Sequence, residues 1–202
     1  MEQLEQRWQS LRSCLDLLGE PEQQPAQWQG YAAELSSRGG QLVLVHTAKP
    51  RTPQRLQLWL ECLLAAAAGL NLQGASLVGR DRHRFRVLER VEAPAPEQAS
   101  ALLEQLQSWR EAHRQNCWAL PPETGWAYAS AESSKPGQGR GWAKAKEIWE
   151  GGYQLRAERD DPVQRVCFGS DLPLGDLLTA ELQTLALTLH GPLLERRQEV
   201  KP

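Results

Sequence analysis

The chain has no apolar run approaching the roughly 18 residues that a membrane span requires, and Ala65 to Ala68 merely extend a helical pattern. Its opening, Met-Glu-Gln-Leu-Glu-Gln, lacks the apolar core of a signal peptide, so a cytoplasmic protein with no membrane contact is expected. Phenylalanine is scarce: two residues against eight tryptophans, which are expected to pack in the core and along helix seams. A charge excess is missing too. The formal charge of −2 offers no global attraction to nucleic acid, so any DNA contact must come from a local patch.

Cys14, Cys62, Cys117 and Cys167 stand far apart with no CxxC or Cys/His pairing, which argues against zinc or iron–sulfur ligation and for reduced, half-buried thiols. No phosphate-binding glycine loop follows a strand, no GxSxG elbow is present, and no HExxH occurs. Gly137, Gly139 and Gly141 alternate, but no strand precedes them, so they read as a flexible loop. No repeat of a solenoid period is seen. Metal and cofactor are both expected to be absent.

What is present suits one large domain, or one domain with attachments, able to bury roughly 70% of its unfolded surface. Gln41 to His46 is a short β-branched run that reads as a buried strand. Thr52-Pro53 then reads as an N-cap and first helical residue. The helix is expected to turn Leu56, Trp59, Leu60, Leu63, Leu64 and Ala67 inward before Gly69. The turn between strand and helix offers His46, Thr47, Lys49 and Arg51, and no carboxylate.

Around this core, residues 3–18 read as an amphipathic helix with Leu4, Trp8, Leu11, Leu15 and Leu18 on one face, either packing on its own domain or meeting a partner. Residues 19–27 read as a connector, 28–35 as a strand, and 36–40 as the turn of a hairpin leading into 41–46. Residues 75–91 read as a second β pair with its turn at Asp81 to His83. Residues from Pro96 form a helix with Ala99, Leu102, Leu103, Leu106, Trp109 and His113 inside, and Pro121-Pro122 stops it. Trp142 to Glu150 is a basic-leaning helix, and Val163 to Phe168 a short strand. Asp160-Asp161 before a proline suits a turn or helix cap better than an acid/base pair. Asp176 is expected to cap a leucine-lined helix closed by His190-Gly191-Pro192, with the tail from Glu195 fraying.

Arg80, Arg82, Arg84 and Arg86 alternate, so one extended strand would place all four on a face, whereas a turn at Asp81 to His83 would cluster them at a hairpin tip. Either gives a patch able to grip phosphates without reading sequence. The alternative is a solvated edge strand whose charges block edge pairing. A weaker set, Lys135, Arg140, Lys144 and Lys146, lies close to Trp142 and Trp149; basic and aromatic residues interleaved can hold single strands by stacking, or form a solvated helix face over a tryptophan seam.

Several segments together resemble the C-terminal domain of RecC, the gamma subunit of the bacterial RecBCD helicase–nuclease, exodeoxyribonuclease V. They are Ala48-Lys-Pro-Arg-Thr-Pro-Gln-Arg-Leu-Gln-Leu-Trp-Leu, Leu77-Val-Gly-Arg, Leu120-Pro-Pro-Glu-Thr-Gly-Trp-Ala-Tyr, Ala143-Lys-Ala-Lys-Glu-Ile-Trp, Asp160-Asp-Pro-Val-Gln-Arg-Val-Cys-Phe-Gly and His190-Gly-Pro-Leu-Leu-Glu. The resemblance runs from about residue 28 to 196, leaving 1–27 as a helix and connector and 28–202 as the domain. It implies an α/β fold similar to the PD-(D/E)xK nucleases, a sheet flanked by helices, without catalysis. An active member needs an acid on one strand and a (D/E)xK pair on the next to surround a divalent ion with oxygens. Here the first strand offers Glu34 alone, and the second reads Leu44-Val-His-Thr-Ala48, with Thr47 two places before Lys49. The resemblance further implies partners: RecB- and RecD-type subunits, and DNA held by its backbone. On this reading Arg80, Arg82, Arg84, Arg86, Lys144 and Lys146 are the candidate DNA contacts. The competing expectations are an active metal-dependent nuclease drawing on Asp81, Glu123 or Asp160, and a purely protein-binding domain.

Overall fold

The computed structural model describes residues 2–116, 119–152 and 155–200. The chain divides into two compact units, Met1–Glu111 with Arg196–Pro202, and Ala112–Glu195.

The first unit is a six-stranded sheet flanked by helices. Its elements are α1 (Glu2–Asp16), β1 (Pro21–Trp28), β2 (Tyr31–Arg38), β3 (Gln41–His46), α2 (Thr52–Ala67), β4 (Gly74–Asp81), β5 (Arg84–Glu92), the start of α3 (Pro96–Asn116), and, after the second unit, β6 (Arg197–Glu199). Strands follow chain order across the sheet. All neighbours are antiparallel except β3 and β4, which run parallel with α2 as their crossover. Six consecutive residues of β4, Gly74 to Gly79, are buried, as a strand covered on both faces should be. Helix α2 packs on β3 and β4, and Leu42 of β3 and Leu58, Trp59, Cys62 and Leu63 of α2 are buried there.

Residues 19–27 are not a connector; most of them form β1. As the outermost strand β1 has one neighbour, so Pro21 and Pro25 need not interrupt a ladder on both sides. The strand expected over 28–35 is split by a two-residue turn at Gln29-Gly30, both at positive φ (43° and 85°), the geometry that matches strand twist in tight hairpins. A second such turn, Gly39-Gly40, joins β2 to β3. The tail is ordered as far as Val200, the last described residue: β6 pairs with β5, and the Val200 N–H donates to Leu88 O.

Helix α2 begins at Thr52 rather than after it, with the Arg51 N–H donating to Gln54 Oε1 (3.0 Å). Its buried face is Leu58, Trp59, Cys62, Leu63, Ala65 and Ala66, while Leu60 is exposed. On α1 the expected inner residues Leu4 and Trp8 are exposed (70% and 64%). The helix instead turns Ser10 and Cys14 toward β5, where Ser10 Oγ accepts the Phe85 N–H (2.9 Å). On α3, Ala99 is buried, Trp109 half-buried and His113 exposed.

The second unit is helical in its described residues: α4 (Pro122–Ser134), α5 (Arg140–Glu150), α6 (Pro162–Phe168), α7 (Leu174–Leu177) and α8 (Ala180–Arg196). Tyr128, Ala129, Ala145, Trp149, Leu174, Leu178, Leu182 and Ala186 form its core. The strand expected at 163–168 is α6: Asp161 caps it, accepting the Val163 N–H (2.9 Å), and Pro162 pre-sets its first turn. The leucine-lined segment is two helices. The longer runs through His190-Gly191-Pro192 to Arg196, carried past the proline by burial of His190 and Leu193. Of the tryptophans, only Trp59 and Trp149 are core residues among those described. Cys14 and Cys62 are buried and Cys167 exposed; Cys117 lies outside the described residues.

Candidate nucleic-acid interface

Strand β3 ends at His46, paired with Gly79 of β4. The chain then passes through Thr47 to Arg51, held to β4 by the Arg80 N–H donating to Ala48 O (3.4 Å). Strands β4 and β5 continue past this point as a hairpin whose tip is Arg82-His83, with Asp81 opposite Arg84 and Gly79 opposite Arg86. Arg82 adopts φ 53°, the left-handed conformation the turn demands. The alternating arginines therefore gather at a hairpin tip and do not line one long strand.

Arg80, Arg82 and Arg86 line a groove of about 560 Å³ together with Lys49, Pro50, Arg55, Asp81, Leu88, Glu89, Glu199 and Val200. Arg84 is separate: it borders a second groove of about 630 Å³ against Ser10, Cys14 and Leu17 of α1.

The acids of the first groove are spoken for. Asp81 Oδ2 lies 2.9 Å from Arg86 Nε. Glu89 is buried, with Arg55 at 2.7 Å on one oxygen and Arg197 at 2.6 Å on the other. Glu199 pairs with Arg197 at 3.1 Å. Burial pushes the Glu89 carboxyl up, but the hydrogen bonds and charges of Arg197 and Arg55 outweigh it and hold the group below its usual range. Among the described residues, Lys49, Arg80 and Arg82 have no carboxylate partner. The groove thus keeps a surplus of positive charge beside neutralised acids.

The second basic set is placed differently. Lys144 pairs with Glu147 (2.6 Å) and Lys146 with Glu150 (3.8 Å) on α5 itself. Trp149 is fully buried with its N–H donating to Leu172 O (2.8 Å), so of the two tryptophans Trp142 alone is open to stacking. Lys135 and Arg140 are exposed.

The carboxylates weighed for metal chemistry do not gather. Glu34 is exposed on β2, opposite Pro25 of β1. Asp81 serves Arg86, and the Glu123 backbone N–H donates to Glu158 (3.0 Å) at the start of α4. Among the described residues no three His, Cys, Asp or Glu side chains are grouped to hold a metal ion.

Sequence reasoning missed Glu89, Arg55 and Arg197. The one signal was an acid inside Val87-Leu-Glu-Arg-Val91, a strand where a buried carboxylate needs a cationic partner.

The family whose model matches is the RecC C-terminal domain, over residues 1–133. The chain belongs to this family. The match to the RecC domain takes in residues 1–27, ahead of the segments that first carry the resemblance, and ends within α4. No curated protein matches the chain. Membership in the RecC C-terminal domain family points to a subunit of the RecBCD complex, an exonuclease V assembly, and to DNA repair. No helix among the described residues is long and apolar enough to cross a membrane.

Proposed function

We propose that this RecC-type domain is a non-catalytic module of the PD-(D/E)xK nuclease-like fold. In this reading it docks a RecD-type subunit beside a RecB-type one and guides DNA strands in double-strand break repair in the cytoplasm, without metal or cofactor. Its working unit is the domain from residue 28 onward, led by the N-terminal helix. The observation that carries the DNA part is the charge balance of the hairpin-tip groove: three acids each held by an arginine, and Lys49, Arg80 and Arg82 left over. Such a site attracts phosphate oxygens of any sequence. The loss of catalysis is supported by β2 and β3, the consecutive strands where an active enzyme of that fold carries its acids. Here they offer the exposed Glu34 and the run Leu44-Val-His-Thr-Ala48.

The test is fluorescence anisotropy of labelled DNA with the full chain across a salt series. Weak, sequence-indifferent binding that falls with salt is expected, and Arg80→Glu with Arg82→Glu should weaken it strongly. Unchanged binding in that double variant removes the assignment. Incubation of labelled DNA with Mg²⁺ or Mn²⁺ should give no cleavage; metal-dependent cleavage would restore the nuclease reading. The exposed Leu4 and Trp8 of α1 favour a second reading, protein docking without DNA. Co-purification with a RecD-type subunit, together with no DNA binding, would select it.

A further inference from the structure

The groove at the β4–β5 tip is not only cationic. Leu88, half-buried, forms an apolar floor in it over the buried Pro50, and the two meet there because β4 carries a glycine at that point: a Cβ on Gly79 would stand 2.7 Å from both the Pro50 ring and Leu88 Cδ1. Leu88 reaches this place because the ladder slips between Leu77 and Val78, so that Leu77 pairs with Glu89 and Val78 with Val87, leaving Leu88 as the extra residue of a bulge. Cations on the wall, an apolar floor and about 560 Å³ of space make a small-molecule-sized site as well as a charged surface.

We infer that the groove seats one unpaired nucleotide, its phosphate on Lys49, Arg80 and Arg82 and its base against Leu88, which Pro50 backs from beneath. This rests on the DNA-guiding reading above and narrows it. A duplex offers phosphates to the arginines but keeps its bases stacked inside, so it cannot use the floor. A single strand can use both. Electrostatics alone favours the duplex, whose phosphates are packed more densely along the axis. A preference for single strands therefore reports the floor.

The experiment compares a short labelled deoxythymidine oligonucleotide with a blunt duplex at equal salt, using the full chain, with thymidine monophosphate and inorganic phosphate as competitors. The single strand should bind roughly tenfold more tightly. Thymidine monophosphate should displace it at concentrations where inorganic phosphate does not. Leu88→Ala should remove that preference while leaving duplex binding intact, and Arg80→Ala should weaken both. Gly79→Ala, which forces the floor apart, should act like Leu88→Ala, and circular dichroism of both variants identifies any failure to fold. Duplex binding equal to or tighter than single-strand binding overturns the nucleotide seat while leaving the DNA-guiding reading in place. A single-strand preference untouched by Leu88→Ala, or binding of both forms untouched by Arg80→Ala, overturns the seat as placed. Absence of all DNA binding at low salt removes both.

Discussion

Arg197 Nε lies 2.6 Å from Oε2 of Glu89, a residue 108 positions earlier, and both side chains are largely withdrawn from solvent. Arg55 holds the other oxygen, so one carboxylate joins α2, β5 and β6. Removing the charge from such a group leaves two guanidiniums facing a neutral amide. Glu89→Gln should cost about 3 kcal/mol in urea unfolding. Arg197→Met should cost about 2 kcal/mol, because Glu89 keeps Arg55. A loss within experimental error for both would show that the clamp does not form in solution.

The same carboxylate gives a pH signature. Its folded pKa lies below the ordinary 4.5, so it binds its proton less readily in the folded chain. The stability it provides is complete above pH 4.5 and drains away as pH falls through the lowered value. Unfolding measured across the acid range should show this slope, and Glu89→Gln should flatten it.

His190 works in a different window. Among the described residues both ring nitrogens are buried without a hydrogen-bond partner, and Trp126 meets the ring edge-on at 5.5 Å. Burial lowers its pKa from 6.5 to about 4. The unfolded chain therefore takes up a proton first as pH falls, and stability is lost between pH 6.5 and 4, by about 3 kcal/mol at the bottom of that range. His190→Leu should abolish the dependence, as read by thermal unfolding of the full chain at several pH values.

The two basic sets should separate in a salt titration. Reversing the charge of Arg80 and Arg82 should reduce the slope of log affinity against log salt by about one for each phosphate no longer held. Lys144→Glu with Lys146→Glu should leave that slope nearly unchanged, since each lysine already serves a glutamate on its own helix. An equal effect from both pairs would place phosphate on α5 as well.

Gly39 and Gly40 share a turn and both have positive φ, 53° and 77°. A Cβ on Gly40 meets open space, whereas one on Gly39 would stand 2.6 Å from Leu18 O. Gly40→Ala should cost about 1 kcal/mol from conformation alone. Gly39→Ala should cost clearly more, since the turn that follows α1 must move as well. Equal costs by chemical denaturation would mean that this turn yields freely.

Strand β3 and helix α2 were legible because a β-branched run and a capped, periodic helix are local signals. Strand β1 was not, because Pro21, Gln23, Gln24 and Pro25 look like linker and are tolerated only at the outer edge of the sheet. The valines of 163–168 imitate a strand, and it was the Asp161 cap that decided for helix. At the candidate site, the arginine cluster could be read from its spacing, yet its surplus charge could not. That surplus depends on which arginines are drawn off by Glu89 and Asp81, and Arg55, Glu89 and Arg197 meet only through the tertiary fold.

Strand β6 has a consequence for the order of assembly. During synthesis the edge of β5 stays open, and Glu89 awaits its second guanidinium, until the ribosome has also released the helices that intervene between α3 and residue 197. The sheet is therefore begun early and closed late, through pairings of the long sequence separation that slows folding. A stalled or truncated nascent chain would display an unpaired strand edge, the kind of surface that chaperones hold and that aggregates recruit.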